Sequence, residues 1–172
     1  YTYDTTLTGL TLGKAGNLTD MTVDSLVNIA GPITLYAPHI TLNNGNISTL
    51  GGQTYNGAVI LGANTTLSST GGADIVLGGT VNGAKTLVVN TTGATTFTGA
   101  VGGTTALTSV TTNAGGTVAI NGSSIITTGA QTYNDAVTLG AATSLTASGV
   151  TFNAAVSGTS LAVTGTTAIN GG

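Results

Sequence analysis

Apolar and polar residues alternate over short runs along the whole chain, and Gly and Asn separate the runs. In AVILG at 58–62, Val59 and Leu61 share one face, and Val137 and Leu139 take the same places in AVTLG at 136–140. The position between each pair is Ile in one run and Thr in the other, which indicates an outward side chain. Such alternation predicts strands joined by tight turns. The many β-branched residues and glycines exclude helix over most of the chain.

The pattern repeats at two scales. GGQTYNGAVILG at 51–62 returns as GAQTYNDAVTLG at 129–140. A shorter element, Thr-aromatic-x-x-Ala-Val, occurs four times, with its aromatic residue at Tyr55, Phe97, Tyr133 and Phe152. The spacings of 42, 36 and 19 residues are close to two, two and one units of about 20. We interpret the four rings as one structural column in the wall of a coil, and an exposed sugar-binding stack is the alternative.

Short strands, a unit of about 20 residues and turns of Asn and Gly predict a right-handed parallel β-helix. About eight to nine coils would account for the length, and Asn in the same turn of successive coils would stack into side-chain ladders. Residues 1–50 follow the rule less regularly, so we expect less regular coils there, a cap or a contact surface. Residues 51–172 are expected to form regular repeats, in one continuous solenoid.

Composition narrows the classes of partner. Charged residues are only 4 %, and a net charge of −3 with two lysines cannot make a basic face for nucleic acid or anionic lipid. No apolar run approaches the roughly 18 residues of a membrane span. The absence of cysteine fits a secreted bacterial chain that folds without disulfides. The start at Tyr1, without a leader, indicates a processed chain or a piece of a longer one.

Three motifs, in four stretches of the chain, carry a resemblance to a known family. The run Gln-Thr-Tyr-Asn-x-Ala-Val-x-Leu-Gly-Ala-x-Thr-x-Leu begins at Gln53 and again at Gln131, and TFTGAVGG and GPITLYA begin at 96 and 31. These stretches resemble the repeat region of filamentous-haemagglutinin-like exoproteins, which are large bacterial surface adhesins of two-partner or autotransporter secretion. The resemblance implies a secreted β-helical shaft. Neither Asn-Pro-Asn-Gly-Ile nor Arg-Gly-Asp is present, so a secretion module is not implied, and no functional residue is carried over.

Catalytic chemistry has few candidates. Asp20 and Asp24 are the closest pair of acids, but on a strand they would lie about 13 Å apart, beyond a glycosidase pair. Asp135 aligns with Gly57 in the first repeat, so no column of acids forms. His39 is expected to point to solvent, with no second His or Cys to complete a metal site. We therefore expect no enzyme activity, no cofactor and no bound metal.

The most economical functional hypothesis is a non-enzymatic extracellular fibre. Neither Tyr1 nor Gly172 carries a charged cap, so the rod either continues covalently or stacks end to end with copies of itself. The alternative is a module that binds glycans or another surface, with Tyr36 and His39 as the candidate contacts. Ice binding is a less favoured alternative, because the Thr pairs do not keep the same phase in every coil. A polysaccharide-active enzyme is another.

Overall fold

In the computed structural model, which describes residues 6–171, the alternating runs form nineteen strands and no helix. Tyr1 and Gly172 lie outside the described residues. The strands are β1 (Leu10–Leu12), β2 (Met21–Val23), β3 (Val27–Ile29), β4 (Ile33–Leu42), β5 (Asn46–Thr49), β6 (Gln53–Leu61), β7 (Thr65–Ser69), β8 (Ile75–Leu77), β9 (Val81–Asn82), β10 (Thr86–Thr91), β11 (Ala94–Phe97), β12 (Ser109–Thr112), β13 (Thr117–Ile120), β14 (Ser124–Ile126), β15 (Ala130–Tyr133), β16 (Ala136–Leu139), β17 (Thr143–Phe152), β18 (Val156–Gly158) and β19 (Leu161–Ile169).

All strand pairings among the described residues are parallel, and they join each turn of the chain to the next along three lines, which we name faces A, B and C. Face A consists of β1, the start of β4, the start of β6, β8, β11, β13, β16 and β18. Face B consists of β2, the end of β4, the end of β6, β9, Val101, β14, the start of β17 and the start of β19. Face C consists of β3, β5, β7, β10, β12, β15, the end of β17 and the end of β19.

Each face has eight rungs, so the described chain is a parallel β-solenoid of eight turns. This confirms the predicted solenoid and its coil count, while the right-handed sense and the division at residue 50 stay predictions. Val118 pairs with Thr95 in the preceding turn and with Val137 in the following one, so the first of these two turns is a few residues longer than the second. Turns therefore remain close to the predicted unit of about 20 residues without being equal in length.

Alternation along each strand separates core from wall. On face A, the inward side chains Leu35, Leu77, Ile120 and Leu139 lie above one another and are buried. Val59 and Leu61 on face B are buried too, as is Val137 on face A. The outward side chains of the same face form a rank of small, mostly hydroxyl groups along all eight turns: Thr11, Thr34, Thr54, Val76, Thr96, Ala119, Thr138 and Ser157.

The four aromatic side chains do not form one column, so that interpretation is wrong. Tyr55 and Phe97 lie on face A two turns apart, with Leu77 between them. Tyr133 and Phe152 lie on face C in successive turns, and their rings stack with centroids 5.3 Å apart. All four are fully buried, which also removes the exposed sugar-binding stack. The spacing from Phe97 to Tyr133 is not a whole number of turns.

The same displacement applies to the long repeat. In the first copy, Gln53 and Tyr55 lie on face A and the following Val59 and Leu61 on face B. In the second copy, β15 lies on face C and β16 on face A. The first copy thus begins on face A of the third turn and the second on face C of the sixth. The two starts are three turns apart, plus a step of two faces along the chain. One sequence motif is used at two different corners of the solenoid.

Candidate functional site

The last described turn exposes apolar side chains and strand edges on its outer side. Ile169 lies above Phe152 on the inward line of face C, yet Ile169 is 65 % exposed while Phe152 is fully buried. Leu161 and Val163 occupy the corresponding line on face B and are only partly buried. Among the described residues no strand covers β18 or β19 on that side. Apolar side chains and strand hydrogen-bonding groups are therefore presented together.

The first described turn is covered differently. The Gly31 amide donates to the carbonyl of Leu7 at 3.1 Å, and the backbone of Thr8 lies directly against Gly31. Leu7 also packs against the core, together with Leu10. The segment that precedes β1 therefore already occupies part of the corner below this turn. The two ends of the described solenoid are not equivalent.

A ladder of asparagine amides leads to the last turn. Asn153 Nδ2 donates to Asn134 Oδ1 at 2.7 Å, and Asn170 Nδ2 donates to Asn153 Oδ1 at 2.7 Å. Each residue directly follows the inward residue of face C, which is Tyr133, Phe152 or Ile169. The ladder begins where Asn134 Nδ2 donates to the Thr112 carbonyl at 2.6 Å. Stacked amides of the kind expected from the sequence therefore connect the last three turns.

Two buried glutamines stabilise the corners at which the long repeat begins. Gln53 Nε2 donates to the carbonyls of Ile47 at 3.1 Å and Ser68 at 2.9 Å, and Tyr55 Oη donates to Gln53 Oε1 at 2.8 Å. Thr49 Oγ1 lies 3.2 Å from the same Nε2. Burial raises the pKa of the Tyr55 hydroxyl well above its usual value, so it remains a donor.

The second copy reproduces this network. Gln131 Nε2 donates to the carbonyls of Ile125 at 3.0 Å and Thr146 at 3.1 Å, and Tyr133 Oη donates to Gln131 Oε1 at 3.0 Å. Sequence reasoning missed the role of both glutamines. The signal was the longer motif Ile-x-Thr-x-Gly-x-Gln-Thr-Tyr, which begins at Ile47 and at Ile125. It is a structural motif, because every polar atom is used within the core.

Tyr36 and His39, the predicted surface contacts, lie on either side of the A–B corner of the second turn. Tyr36 is half-buried, and the His39 side chain is 54 % exposed. His39 Nδ1 lies 2.9 Å from Asp20 Oδ1, and the His39 amide donates to the same oxygen at 3.2 Å. Asn17 Nδ2 donates to the Tyr36 carbonyl at 3.0 Å. This corner brings an imidazole and a carboxylate into contact, with the half-buried Tyr36 three residues before His39 on β4.

The two acids considered for catalysis are separately engaged. Asp20 bonds to His39, and Asp24 Oδ1 accepts a bond from Asn43 Nδ2 at 2.8 Å. β2 lies between the two carboxylates. Among residues 6–171 no three His, Cys, Asp or Glu side chains come together as metal ligands, and no helix could cross a membrane.

Asp135 is the one acid that sequence reasoning placed incorrectly. It does not share a corner with Gly57: Asp135 lies at the C–A corner of the sixth turn, and Gly57 lies at the A–B corner of the third. Asp135 is only 3 % exposed, and its Oδ1 accepts the Gly116 amide at 2.7 Å. Its Oδ2 is buried without a partner. Burial raises the pKa of this carboxyl, against the opposing effect of the Gly116 and Gly115 amides.

The wall also has open depressions. One, of about 330 Å³, lies on face C across the first three turns and is lined by residues that include Leu26, Asn28 and Ser48. It contains no charged side chain. No protein-family model, curated protein or solved structure matches the chain, so the similarity to filamentous-haemagglutinin-like repeats stays a hypothesis.

Proposed function

We propose that this chain is a non-enzymatic structural segment of an extracellular β-solenoid fibre at a bacterial surface. Three features support the proposal: the uninterrupted parallel pairing over eight turns, a wall of small uncharged side chains, and the resemblance of the runs at Gln53 and Gln131 to adhesin repeats. Continuous strand pairing resists extension along the rod axis, and hydroxyl and amide side chains keep the wall hydrated without charge.

The unbroken parallel pairing of face C through all eight turns, up to Phe152 and Ile169, is the observation that carries this proposal. Covering one large aliphatic side chain contributes roughly 1.5–3 kcal/mol, and pairing the free strand edge adds to it. A further solenoid turn supplies both the apolar cover and the backbone partners. In the proposed shaft, this surface is where a further turn would pack.

The next turn comes either from the same polypeptide or from a second copy. A second copy placed in register would bring its own Leu7 and Thr8 to the C–A corner that Asn170 and Gly171 of the first copy already occupy. Those residues would have to be displaced. A polypeptide that simply runs on meets no such obstacle, so we expect a shaft segment rather than a self-assembling subunit.

Electron microscopy of the purified chain at high concentration distinguishes these cases. A shaft segment gives discrete rods of roughly 4 nm, because turns are spaced by about 4.8 Å. Filaments with a layer line near about 4.8 Å would show that copies stack and would contradict this expectation. In that event Ile169→Asp should abolish the filaments, and Thr98→Asp, at an exposed wall position of the fifth turn, should not.

The absence of catalysis is tested on the same preparation. Uronate-containing and neutral polysaccharides are incubated with the chain, and the release of reducing or unsaturated ends is followed. The proposal expects none. Cleavage that is lost in Asp20→Asn, with the fold preserved, would replace the structural role with an enzymatic one.

A glycan-binding module is the second candidate, favoured by the corner formed by Tyr36, His39 and Asp20. Carboxylate and imidazole groups can bond sugar hydroxyls while a phenol ring covers an apolar sugar face. A glycan array tests it. Binding that is lost in Tyr36→Ala and retained in the matched wall variant Thr138→Ala would support this candidate, and an array without any signal would eliminate it.

A further inference from the structure

Asp135 is an isolated acid in the middle of the rod. It is the only Asp, Glu, Lys, Arg or His between residues 86 and 171. The turns packed on either side of it, the fifth and the seventh, therefore contain no countercharge. The nearest titratable side chain in its own strand pair is Tyr133, whose buried hydroxyl is bonded to Gln131. Nothing in the structural role proposed above uses this carboxyl.

The burial of Asp135 opposes its ionised form, whereas the backbone amides of Gly116 and Gly115 favour that form, and burial is the larger of the two effects. One oxygen is held by the backbone amide of Gly116, at the corner of the fifth turn, while Oδ2 is buried with no partner. A buried charge without an opposite charge carries a larger desolvation penalty than a protonated carboxyl does. Ionisation therefore favours any local opening that brings water to Oδ2.

We propose that Asp135 makes the joint between the fifth and sixth turns respond to acidity, closing it when the carboxyl is protonated and loosening it when the carboxyl ionises. The joint consists of residues 113–116 in the fifth turn and 134–136 in the sixth. It is a regulatory device of the shaft and does not depend on what the shaft carries.

The direction of the pH effect follows from proton binding. In the closed joint the pKa of Asp135 is raised, whereas in the open joint it returns to its ordinary value of about 3.9. Between those two values the closed state binds more protons, so the closed state loses stability as pH rises through this window. The open-to-closed ratio changes there by up to about tenfold per pH unit, and it is constant above the window.

Amide hydrogen exchange on the full chain tests the proposal at Gly115 and Gly116. Exchange rates divided by the intrinsic rates should fall as pH is lowered from neutral towards the ordinary Asp value. Asp135→Asn should remove this dependence. Asp74→Asn is the matched control, because Asp74 Oδ1 also accepts a backbone amide at a C–A corner, from Ala94 at 2.8 Å, but is exposed. It should leave the dependence unchanged.

The proposal would be overturned if amide exchange at Gly115 and Gly116 had the same pH dependence in the native chain and in Asp135→Asn. A direct NMR titration of the Asp135 carboxyl in the native chain serves if the variant does not fold. A midpoint above the ordinary Asp value supports the device, and a midpoint at or below that value overturns it. Neither result alters the rods expected in microscopy, so this inference and the proposed function fail independently.

Discussion

Tyr133 and Phe152 stack across successive turns, with ring centroids 5.3 Å apart and planes inclined by 15°. Such a pair contributes about 0.5–1.5 kcal/mol beyond the area it buries. A double-mutant cycle of Tyr133→Leu and Phe152→Leu, measured by urea unfolding, should give a coupling energy in that range. Loss of the Gln131 bond cancels in the cycle, because it is common to the single and the double variant.

The matched control is the cycle of Tyr55→Leu and Phe97→Leu. These two rings lie two turns apart with Leu77 in the turn between them, so their coupling should be within about 0.5 kcal/mol of zero. Equal coupling in both cycles would contradict the assignment of the four aromatic residues to two faces.

The buried glutamine networks should be costly to remove. Gln53→Leu leaves the Ile47 and Ser68 carbonyls without this donor and the Tyr55 hydroxyl without its acceptor. Each unsatisfied buried group costs about 1–3 kcal/mol, so the free energy of unfolding should fall by at least about 2 kcal/mol. Gln131→Leu should cost about as much, since its network is the same. A loss below about 1 kcal/mol at either site would refute the role given to the glutamines.

Gly57 should not tolerate a side chain. A Cβ there would collide with the carbonyl oxygen of Ala37 in the preceding turn, so Gly57→Ala should destabilise the fold by about 1–3 kcal/mol. Gly103→Ala is the control, because a Cβ at Gly103 meets only Ala100 Cβ at 3.8 Å. Its effect should be neutral or slightly stabilising. Thermal unfolding of the two variants provides the comparison, and equal melting temperatures would argue against the close approach of the turns at Gly57.

The asparagine ladder should protect the last turn locally. Asn153→Ala removes its bonds to Asn134 and Asn170 and should cost about 1 kcal/mol, because exposed groups regain water. Hydrogen exchange should accelerate in β19 and remain unchanged in β13. Asn56→Ala, at an exposed asparagine whose side chain makes no hydrogen bond, should change stability by less than about 0.5 kcal/mol. Uniform acceleration along the rod would show that the ladder does not act locally.

The sequence sufficed for the strands, the parallel solenoid and the number of turns, because alternation and a repeat of about 20 residues are local properties. It did not suffice for the face on which a motif lies. Leu139 lies two turns after Phe97 on face A and 42 residues from it (139 − 97), whereas Tyr133 lies six residues before Leu139 and therefore on face C. A departure of this size is enough to change the face, and a repeat unit of about 20 residues does not record it.

The same limit explains why the burial of two polar residues, Gln53 and Asp135, was not predicted. In the sequence Gln53 marks the start of the repeat, and its position two residues before the buried Tyr55 places it on the inward side. The burial of Asp135 had no signal, because its alignment with Gly57 compares two different corners. The acidity response inferred for Asp135 could only be seen once the Gly116 amide and the orphaned Oδ2 were placed.

The displacement of the long repeat by two faces determines the sides of a fibre on which successive copies of the repeat would be exposed. Asn56 and Asn134 occupy the same place in the motif but emerge on different sides of the rod. A third copy with the same spacing would emerge on the remaining side, and a fourth would return to the first azimuth. A shaft built from this unit would therefore carry any decoration as a spiral. The copies of the repeat would be distributed around the fibre. At any rotation about the long axis, at least one copy would therefore face a neighbouring surface.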